Sequence, residues 1–448
     1  MNIKNEDYSP KYVVEAASVL HELGNYMLAD GFEIVYDVSK SHGVYLHDAI
    51  TGKDYLDFFT CFASNPIGLN HPKMTDPAFI EYLGKISVNK PSNSDLYSEA
   101  MASFVKTFFA IAVPDYFIHS FYIEGGALAI ENALKVAFDW KVKKNFSKGY
   151  TIEKGHKILH FNQAFHGRSG YTMSLTNTDP NKTALYPKFD WPRVSNPFIV
   201  FPIEKNLEDL IERENKSIRE IKQAFINNPD DIAAIIIEPI QGEGGDNHFR
   251  PEFLQQLRDI ANEEDALLIF DEVQTGVGLT GTMWAHEQLG VKPDILAFGK
   301  KMQVCGILAT NRVDEVPDNV FRVSSRINST WGGSLTDMVR ATRYLEIIQE
   351  DNILENVKNT GNALQARLHE LQQEFPMIIS NCRGRGLFSA FDFPDPEIRK
   401  KFLHQCYDRG LIILACGEKS VRFRPALTLQ IKELEAGMNI IRDSIISL

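Results

Sequence analysis

Cysteine is scarce in this sequence and forms no recognisable motif. The five cysteines are odd in number, scattered over 448 residues and without a C-x-x-C: Cys61, Cys305, Cys382, Cys406 and Cys416. Such a set supplies neither a disulfide framework nor a zinc site, and it is typical of a reducing compartment. We therefore expect a cytoplasmic protein with no bound metal.

Long apolar runs and an excess of basic charge are also lacking. No stretch of about 18 uninterrupted apolar residues is found, so no membrane-spanning helix is expected. The polar, acidic start of the chain does not have the pattern of a secretory signal. The 59 acidic and 47 basic residues give a formal net charge of -12. That charge argues against nucleic acid or an anionic membrane surface as a main partner.

From about residue 118 the sequence alternates between strand and helix patterns. Short apolar runs typical of strands occur at "SFYIE", "KILHF", "DIAAIIIEP", "ALLIFDE" and "DILAFG". Helical patterns between them include "ALAIENALKVAFDW", residues 207–227 and "PEFLQQLRDIANEE". This alternation predicts an α/β fold in which helices cover a mostly parallel sheet. Ligands of such sheets gather outside the carboxyl ends of the strands.

The two ends of the chain follow other patterns. The segment "GVYLHDAITGKDYLDFF" predicts two strands joined by a turn at Thr51 and Gly52. A long helical region at residues 336–375 leads to the strand segments "GLFSAFDF", "LIILA" and "VRFRPAL". We predict a large domain at residues 61–333 and a smaller α+β domain at residues 334–448, which is joined by an N-terminal segment, residues 1–60.

Polar residues stand at the ends of three predicted core strands. Glu238 ends "AIIIEP", Asp271 ends "LLIFD" with Gln274 just beyond it, and Lys300 follows "ILAFG". Lys301 is adjacent to Lys300, and spacing alone does not choose between the two lysines. Each feature taken singly has an ordinary interpretation as a helix cap, a loop residue or a solvated lysine.

A glycine turn in "FYIEGGALAIEN" changes the interpretation of these strand ends. The main-chain N–H groups and the helix dipole after Gly125 and Gly126 favour a bound phosphate. A phosphate cradle, an acid and a lysine at one edge of a sheet match the needs of pyridoxal phosphate (PLP). The lysine forms a Schiff base, the acid keeps the pyridine nitrogen protonated, and the helix N-terminus holds the phosphate.

Other catalytic motifs are weaker or missing. "GVGLTG" formally matches the dinucleotide fingerprint G-x-G-x-x-G, but four residues separate it from its strand and no long helix follows. The sequence contains no G-x-x-x-x-G-K-[ST], H-E-x-x-H or G-x-S-x-G. These gaps disfavour P-loop, zinc-peptidase and α/β-hydrolase functions.

Six ordered segments resemble the class III (ω-amino) PLP-dependent aminotransferases over nearly the whole chain. They are "EGGALAIENALK", "FHGRSGYT", "EPIQGEGG", "FDEVQTGVG", "AFGKK" and "STWGG". The resemblance implies the PLP-dependent transferase fold type I, which is aspartate aminotransferase-like. Its large domain has a mostly parallel seven-stranded sheet, and its smaller domain is α+β. The resemblance also implies a homodimer whose active sites are shared across the interface.

Several departures from the ornithine, acetylornithine and γ-aminobutyrate branches point to a narrower group. Leu128 stands within a turn that is acidic in those branches, Leu279 replaces a frequent arginine, and "KMQVCG" replaces a glycine-rich tail. With "NKPSNSD" and "PKFDWPR", these features resemble the L-lysine 6-aminotransferase branch. The resemblance implies transfer of the ε-amino group of L-lysine to 2-oxoglutarate, which gives glutamate and 2-aminoadipate 6-semialdehyde. That semialdehyde is expected to cyclise to piperideine-6-carboxylate.

Three alternatives stay open from the sequence. The first is another ω-aminotransferase with ornithine, 4-aminobutyrate or a diamine as donor. The second is an aminomutase on the same scaffold, which needs no external 2-oxoglutarate. The third is a non-enzymatic regulator with a fused DNA-binding module, for which we expect neither the room nor the basic charge at either terminus.

The resemblance assigns the cofactor contacts. Lys300 carries the Schiff base and moves the proton, which requires a lowered pKa. Asp271 pairs with the pyridine nitrogen, Gln274 reaches the phenolic oxygen, and Phe165 stacks on the ring. The remaining assigned residues are Gly126 and Ala127 at the phosphate, Glu238 at the strand end, and Thr330, which reaches the phosphate of the neighbouring subunit.

The two substrates require one permanent cation and one that can be hidden. By the resemblance, Arg168 is the distal clamp for a carboxylate. Arg422 is the proximal arginine, and Glu243 neutralises it while lysine is bound and swings away for 2-oxoglutarate. Glycines on both sides of Glu243 are expected to allow that movement. Asn328 adds a polar contact to the α-carboxyl end of lysine.

Overall fold

A seven-stranded sheet forms the centre of the fold, as the alternation of strand and helix patterns predicts. The computed structural model describes residues 8–448, so the first seven residues of the predicted N-terminal segment lie outside it. In spatial order the strands are Phe117–Ile123, Cys305–Thr310, Ile295–Phe298, Leu267–Asp271, Ile232–Ile237, Lys157–Phe161 and Arg193–Val194. The runs Ile232–Ile237 and Leu267–Asp271 are buried along their whole length, which explains their continuous apolar character.

Two strands of this sheet, Cys305–Thr310 and Arg193–Val194, are not predicted by the sequence. Cys305–Thr310 runs antiparallel to both of its neighbours, whereas the other pairings are parallel. It lies directly after the two lysines, in the segment that begins as "KMQVCG". The chain therefore reverses at the lysines and returns beside Ile295–Phe298. The reversal leaves the lysine turn at the edge of the sheet where the parallel strands end.

Helices cover the central sheet and also occur in the N- and C-terminal parts of the chain. Their bounds are Val19–Gly24, Pro77–Ser87, Glu99–Ile111, Gly126–Ser147, Thr172–Leu175, Pro180–Thr183, Ile203–Asn227, Pro251–Glu263, Ala285–Leu289, Leu335–Glu350, Ile353–Glu374, Pro396–Asp408 and Ile431–Ile446. Pro251 occupies the first turn of its helix, as expected. The predicted helical region 336–375 is two helices, because Asn352 adopts a left-handed conformation with φ of +49° and breaks the chain direction. No helix among residues 8–448 is both long and apolar enough to cross a membrane.

Among residues 8–448, three smaller sheets accompany the central one, and one of them is the antiparallel pair Ile240–Gln241 and Asn247–His248. An antiparallel sheet has the order Ser380–Arg385, Phe388–Asp392, Ser420–Phe423 and Leu414–Cys416. The N-terminal hairpin Tyr45–His47 and Asp54–Asp57 forms as predicted, and Asp54–Asp57 also pairs in parallel with Leu411–Ile412. The predicted strand "LIILA" is therefore split between two sheets. The domain boundaries that we place after residues 60 and 333 remain a prediction.

Candidate active site

A cavity of about 480 Å³ opens where the central strands end. Nine of the predicted site residues line it: Gly126, Ala127, Phe165, Arg168, Glu238, Glu243, Asp271, Gln274 and Lys300. Parallel strands bring their carboxyl ends to one edge of a sheet, which is why residues so distant in sequence meet here. Phe62, His166 and Lys182 also line the cavity and were not predicted.

Lys300 sits in a strained turn at the end of Ile295–Phe298. Its φ is +50°, in the left-handed region that non-glycine residues seldom adopt. A Cβ atom on Gly299 would lie 2.8 Å from the Cys305 sulfur, so only glycine fits before the lysine. Gln303 Nε2 donates to the carbonyl oxygens of Lys300 at 3.1 Å and Ser64 at 2.7 Å. The strained conformation is thus held from both sides, as is common at functional positions.

The Lys300 amine is buried among other cations. Burial and the charges of Arg422 and Arg424 lower the pKa of Lys300 to about 8, although Asp271 and Glu243 oppose the shift. A sizeable fraction of the amine is therefore unprotonated near neutral pH. A neutral amine can attack a carbonyl carbon and can accept a proton.

Asp271 is held by a histidine that sequence reasoning missed. His166 Nδ1 lies 2.8 Å from Asp271 Oδ2, and both side chains are buried. The other carboxylate oxygen accepts a hydrogen bond from the main-chain N–H of Val273 at 3.0 Å. His166 Nε2 has no partner among the described residues. The acid predicted to face a pyridine nitrogen is therefore fixed in orientation by two donors.

Glu238 lines the cavity, but its carboxylate bonds to the main chain. One oxygen accepts from the N–H of Phe165 at 2.9 Å, and the other accepts from Gly242 at 3.0 Å. Burial and the neighbouring Asp271 charge raise the pKa of Glu238 to about 7. This carboxylate thus fixes two loops that border the cavity, one of which carries the aromatic ring of Phe165.

The N-terminus of the helix Gly126–Ser147 lies at the cavity. No side chain caps this helix, and Gly126 and Ala127 form part of the cavity wall. The first N–H groups of a helix lack partners within the helix and favour an anion. A Cβ atom on Gly126 would approach Val273 Cγ1 to 3.0 Å, so the wall is closely packed at this point.

Gln274 is oriented by an arginine that lies outside the predicted set. Arg424 Nη2 and Nε donate to Gln274 Oε1 at 2.8 and 3.0 Å. Arg424 is fully buried and is neutralised by the equally buried Asp246. Because its oxygen is occupied in this way, the NH₂ group is the end of the Gln274 amide that is available to a ligand. Arg422 and Arg424 are two residues apart, the spacing of one face of a strand, and both contact Gln274.

Glu243 forms the ion pair with Arg422 that the resemblance implied. Arg422 Nη2 lies 2.9 Å from Glu243 Oε2, and the arginine side chain is only 3% exposed. Lys182 donates to the other oxygen of Glu243. Burial opposes ionisation of this carboxyl, but Arg422 and Lys182 outweigh burial and lower the pKa of Glu243. The pair is therefore ionised at neutral pH.

The glycines beside Glu243 lie close to neighbouring residues. A Cβ atom on Gly242 would lie 2.3 Å from Gln274 Oε1, and one on Gly244 would lie 2.1 Å from the Gln163 carbonyl oxygen. The Glu243 carbonyl also accepts a hydrogen bond from Gly417 at 2.8 Å. These glycines allow close packing of the main chain at this point. A rotation of the Glu243 side chain would leave that packing unchanged.

Arg168 lines the cavity with an exposed side chain and forms no ion pair within residues 8–448. Asn328 and Thr330, in contrast, lie outside the cavity of their own chain on an exposed segment. Asn328 Oδ1 accepts a hydrogen bond from Ser329 at 2.7 Å. The structure therefore brings together every predicted site residue except these two.

The segments "NKPSNSD" and "PKFDWPR", which resemble the L-lysine 6-aminotransferase branch, lie in different parts of the structure. Part of "NKPSNSD" packs on the segment that carries Thr330, since Asn93 donates to the Gly333 carbonyl at 2.9 Å and Lys90 lies 3.8 Å from the Trp331 ring centroid. "PKFDWPR" instead borders a separate surface depression of about 690 Å³. The first segment thus supports a predicted site residue, and the second lies away from the cavity.

Lys301 is the buried member of the lysine pair. Its Nζ donates to the carbonyl oxygens of Gln274 at 2.7 Å and Ala63 at 3.4 Å. Burial and the neighbouring Lys300 charge lower the pKa of Lys301 well below its usual value. The Ala63 contact anchors the turn Thr60–Ala63, in which four successive residues have positive φ. That turn carries Phe62 into the cavity wall.

The chain belongs to the class-III aminotransferase family, whose model matches residues 26–445. L-lysine-epsilon aminotransferase of Mycobacterium tuberculosis is 52% identical over 428 residues, which is 95% of each chain. The enzyme of the same name from Streptomyces clavuligerus is 47% identical over 441 residues, 98% of this chain and 96% of the relative. Lysine aminotransferase from M. tuberculosis in the internal aldimine form matches with a TM-score of 0.95 at 50% identity, covering 97% of this chain and 100% of that one. This protein is a PLP-dependent aminotransferase of fold type I.

The cavity fits the cofactor of this family on its own features. A lysine with a lowered pKa, a buried carboxylate and an uncapped helix N-terminus surround one space of suitable size. These groups match the aldehyde, the pyridine nitrogen and the phosphate of PLP respectively. The half-buried ring of Phe165 in the cavity wall adds an aromatic surface for a flat ring.

Proposed function

We propose that this protein transfers the ε-amino group of L-lysine to 2-oxoglutarate. The products are L-glutamate and 2-aminoadipate 6-semialdehyde, which cyclises to piperideine-6-carboxylate. The observation that carries the proposal is the Glu243–Arg422 ion pair, which borders the cavity of Lys300 while Arg168 remains unpaired within the described residues. The names of relatives at 47–52% identity support lysine as the donor.

The residues of the cavity would hold PLP in one orientation. Lys300 would be the attachment point, and the Asp271 carboxylate, fixed by His166, would pair with the pyridine nitrogen. The NH₂ group of Gln274 would bind the phenolic oxygen, and the N–H groups of Gly126 and Ala127 would bind the phosphate. Phe165 would pack on the ring, and Glu238 holds the loop of Phe165 in place. When bound, PLP supplies an electron sink that makes the carbon next to the reacting nitrogen acidic.

Lys300 performs the proton transfer at that carbon. With PLP bound, the Lys300 amine would be the base that accepts the proton from that carbon. A pKa of about 8 leaves the amine able both to accept and to release a proton near neutral pH. The Phe62 ring, whose centroid lies 5.8 Å from Lys300 Nζ, helps to exclude water from the amine.

The two half-reactions differ in the charge that they need beside the reacting carbon. L-lysine presents a CH₂ group there and its α-carboxylate at the far end, where Arg168 binds it in a bidentate manner. 2-Oxoglutarate presents a carboxylate at both ends. The pairing with Glu243 hides Arg422 from lysine, and rotation of the Glu243 side chain exposes Arg422 to the α-carboxylate of 2-oxoglutarate.

A homodimer completes the site in this proposal. Thr330 would bind the PLP phosphate of the neighbouring subunit, and Asn328 would bind the α-carboxyl end of the donor lysine. Both lie on an exposed segment outside their own cavity, which suits contacts made across an interface. The large exposed apolar side chains near the N-terminus, among them Tyr8, Tyr26 and Leu28, also suit burial by a second copy. Five unpaired cysteines fit a reducing, cytoplasmic setting.

A panel of amino donors tests the proposal. The holoenzyme is given 2-oxoglutarate with L-lysine, L-ornithine, 4-aminobutyrate or a diamine, and glutamate is measured. We expect the highest kcat/KM with L-lysine and a product that reacts as a cyclic imine. Arg168 binds any donor with a distal carboxylate and does not measure chain length, so preferential use of ornithine or 4-aminobutyrate would move the assignment to another branch of the family.

A further inference from the structure

The carboxylate of Glu243 lies between two cations, and only one of them has a role so far. Arg422 Nη2 contacts Oε2 at 2.9 Å, and Lys182 Nζ donates to Oε1. The single carboxylate of Glu243 thus forms ion pairs with both Arg422 and Lys182. The Lys182 ammonium also lies 5.7 Å from the centroid of the Phe165 ring in the cavity wall.

The two cations differ in their freedom to move. Arg422 belongs to the strand Ser420–Phe423, and its side chain is 3% exposed. Lys182 belongs to the four-residue helix Pro180–Thr183, and its side chain is 30% exposed at the cavity. Arg422 is therefore fixed, whereas the flexible stem of Lys182 can follow a partner that moves.

The main chain around Glu243 is too closely packed to carry the carboxylate away. Gly242 and Gly244 each lie against neighbouring atoms that leave no room for a Cβ, and the Glu243 carbonyl is bonded to Gly417. Release of Arg422 is therefore a rotation of the Glu243 side chain. A carboxylate that is 23% exposed loses stabilisation when it leaves a cation, unless another cation goes with it.

We infer that Lys182 is the positioning residue that retains the Glu243 carboxylate when Arg422 is released to bind a substrate carboxylate. By keeping one ion pair intact, it lowers the free energy needed to expose Arg422. This inference rests on the proposed function, because it requires a second carboxylate that competes for Arg422. It assigns no contact between Lys182 and the substrate.

The probe is glutarate, a dicarboxylate that lacks the reacting carbonyl, titrated into the PLP-bound enzyme by calorimetry. Lys182→Met keeps the length of the side chain and removes its charge. We expect it to weaken glutarate binding and to raise the KM for 2-oxoglutarate by about twofold to fivefold, the range for loss of a partly exposed ion pair. The rate of the lysine half-reaction should not fall. Lys182→Arg should restore glutarate affinity.

Lys188→Met is the matched control, because Lys188 is an exposed lysine whose only described hydrogen bond is to the Tyr186 carbonyl. It should leave glutarate binding unchanged. An equal loss in this control would mean that net charge alone sets the affinity and would overturn the inference. So would a Lys182→Met enzyme that binds glutarate like the wild type.

A double-mutant comparison separates action through Glu243 from direct attraction of the ligand. In a Glu243→Gln background no carboxylate remains to be retained, so Lys182→Met should then have no further effect on glutarate binding. A persisting loss in that background would show that Lys182 attracts the ligand directly and would overturn the inference. Failure of the proposed function is detected by a different measurement, the formation of glutamate by the wild-type enzyme. If that enzyme forms no glutamate from L-lysine and 2-oxoglutarate, both the proposed function and this inference are overturned.

Discussion

Lys301 is bonded to the carbonyl oxygen of Gln274 at 2.7 Å, and it has no carboxylate partner among residues 8–448. The two adjacent lysines therefore have separate tasks. Lys300 faces the cavity in a strained turn, whereas Lys301 points into the core and joins the loop of Gln274 to the turn that carries Phe62. A buried lysine without an anion is costly, and that cost is reduced here because burial and the neighbouring Lys300 charge lower the pKa of Lys301.

Replacement of Lys301 by methionine should reduce activity more than stability. Methionine fills a similar volume without a buried polar group, so we expect the free energy of unfolding to change by no more than ~2 kcal/mol. The loop of Gln274 loses its anchor, and kcat should fall about tenfold or more, since small misplacements at a reacting centre are costly. Thermal unfolding and steady-state rates check both parts. A fully active Lys301→Met enzyme would show that the anchor has no effect on the site.

Replacement of Glu243 by alanine should separate the two half-reactions. It leaves Arg422 permanently exposed, so the incoming ammonium group of lysine meets an unmasked cation. We expect the single-turnover rate with L-lysine to fall about tenfold or more, since like charges brought together cost several kcal/mol. The rate with L-glutamate should change far less, because that substrate needs Arg422 free. Equal losses with both amino acids would contradict the masking role of Glu243.

The lowered pKa of Lys300 predicts how the apoenzyme takes up its cofactor. The neutral amine is the nucleophile, so the rate of covalent PLP uptake should rise with pH through about 8 and level off above it. Stopped-flow absorbance of the apoenzyme mixed with PLP measures this rate. Lys300→Ala serves as the control, because it should lose the covalent phase entirely. A covalent rate that does not vary between pH 6.5 and 9.5 would be inconsistent with this assignment.

The contact of His166 with Asp271 predicts a difference between two substitutions of similar size. His166→Asn keeps an N–H donor near the position of Nδ1, whereas His166→Leu removes it. Loss of a hydrogen bond to a charged group costs about 1.5–3 kcal/mol. We therefore expect the leucine variant to lose PLP on dialysis about tenfold or more faster than the asparagine variant. Equal retention by the two variants would show that this histidine does not support the acid.

The core strands were predictable because their apolar runs are long enough to be buried on both faces, as in Ile232–Ile237. Cys305–Thr310 was missed, since its first residues continue the lysine turn and its short, glycine-containing run shows no alternation. Its antiparallel direction depends on pairing with Phe117–Ile123, almost two hundred residues away. Local patterns carry no information about such a partner.

The site was predictable where residues stand at strand ends and less so where loops meet. Asp271 and Lys300 follow buried strands, so their location is set by the sheet. His166 contacts Asp271, 105 residues away, and Lys182 contacts Glu243, 61 residues away. No local spacing in the sequence predicts those contacts. Gly242 and Gly244 show the opposite problem, because glycine permits both flexibility and close packing, and only the contacts distinguish them.

Isotope transfer tests the central claim most directly. The holoenzyme is supplied with 2-oxoglutarate and L-lysine that carries ¹⁵N on either the ε- or the α-nitrogen, and the glutamate formed is analysed by mass spectrometry. Because Arg168 is assigned to the α-carboxylate at the far end of the cavity, the ε-nitrogen is the one that reaches Lys300. We predict labelled glutamate from the ε-labelled donor and unlabelled glutamate from the α-labelled donor. Label arriving from the α-nitrogen, or no glutamate from either donor, would contradict the proposed reaction.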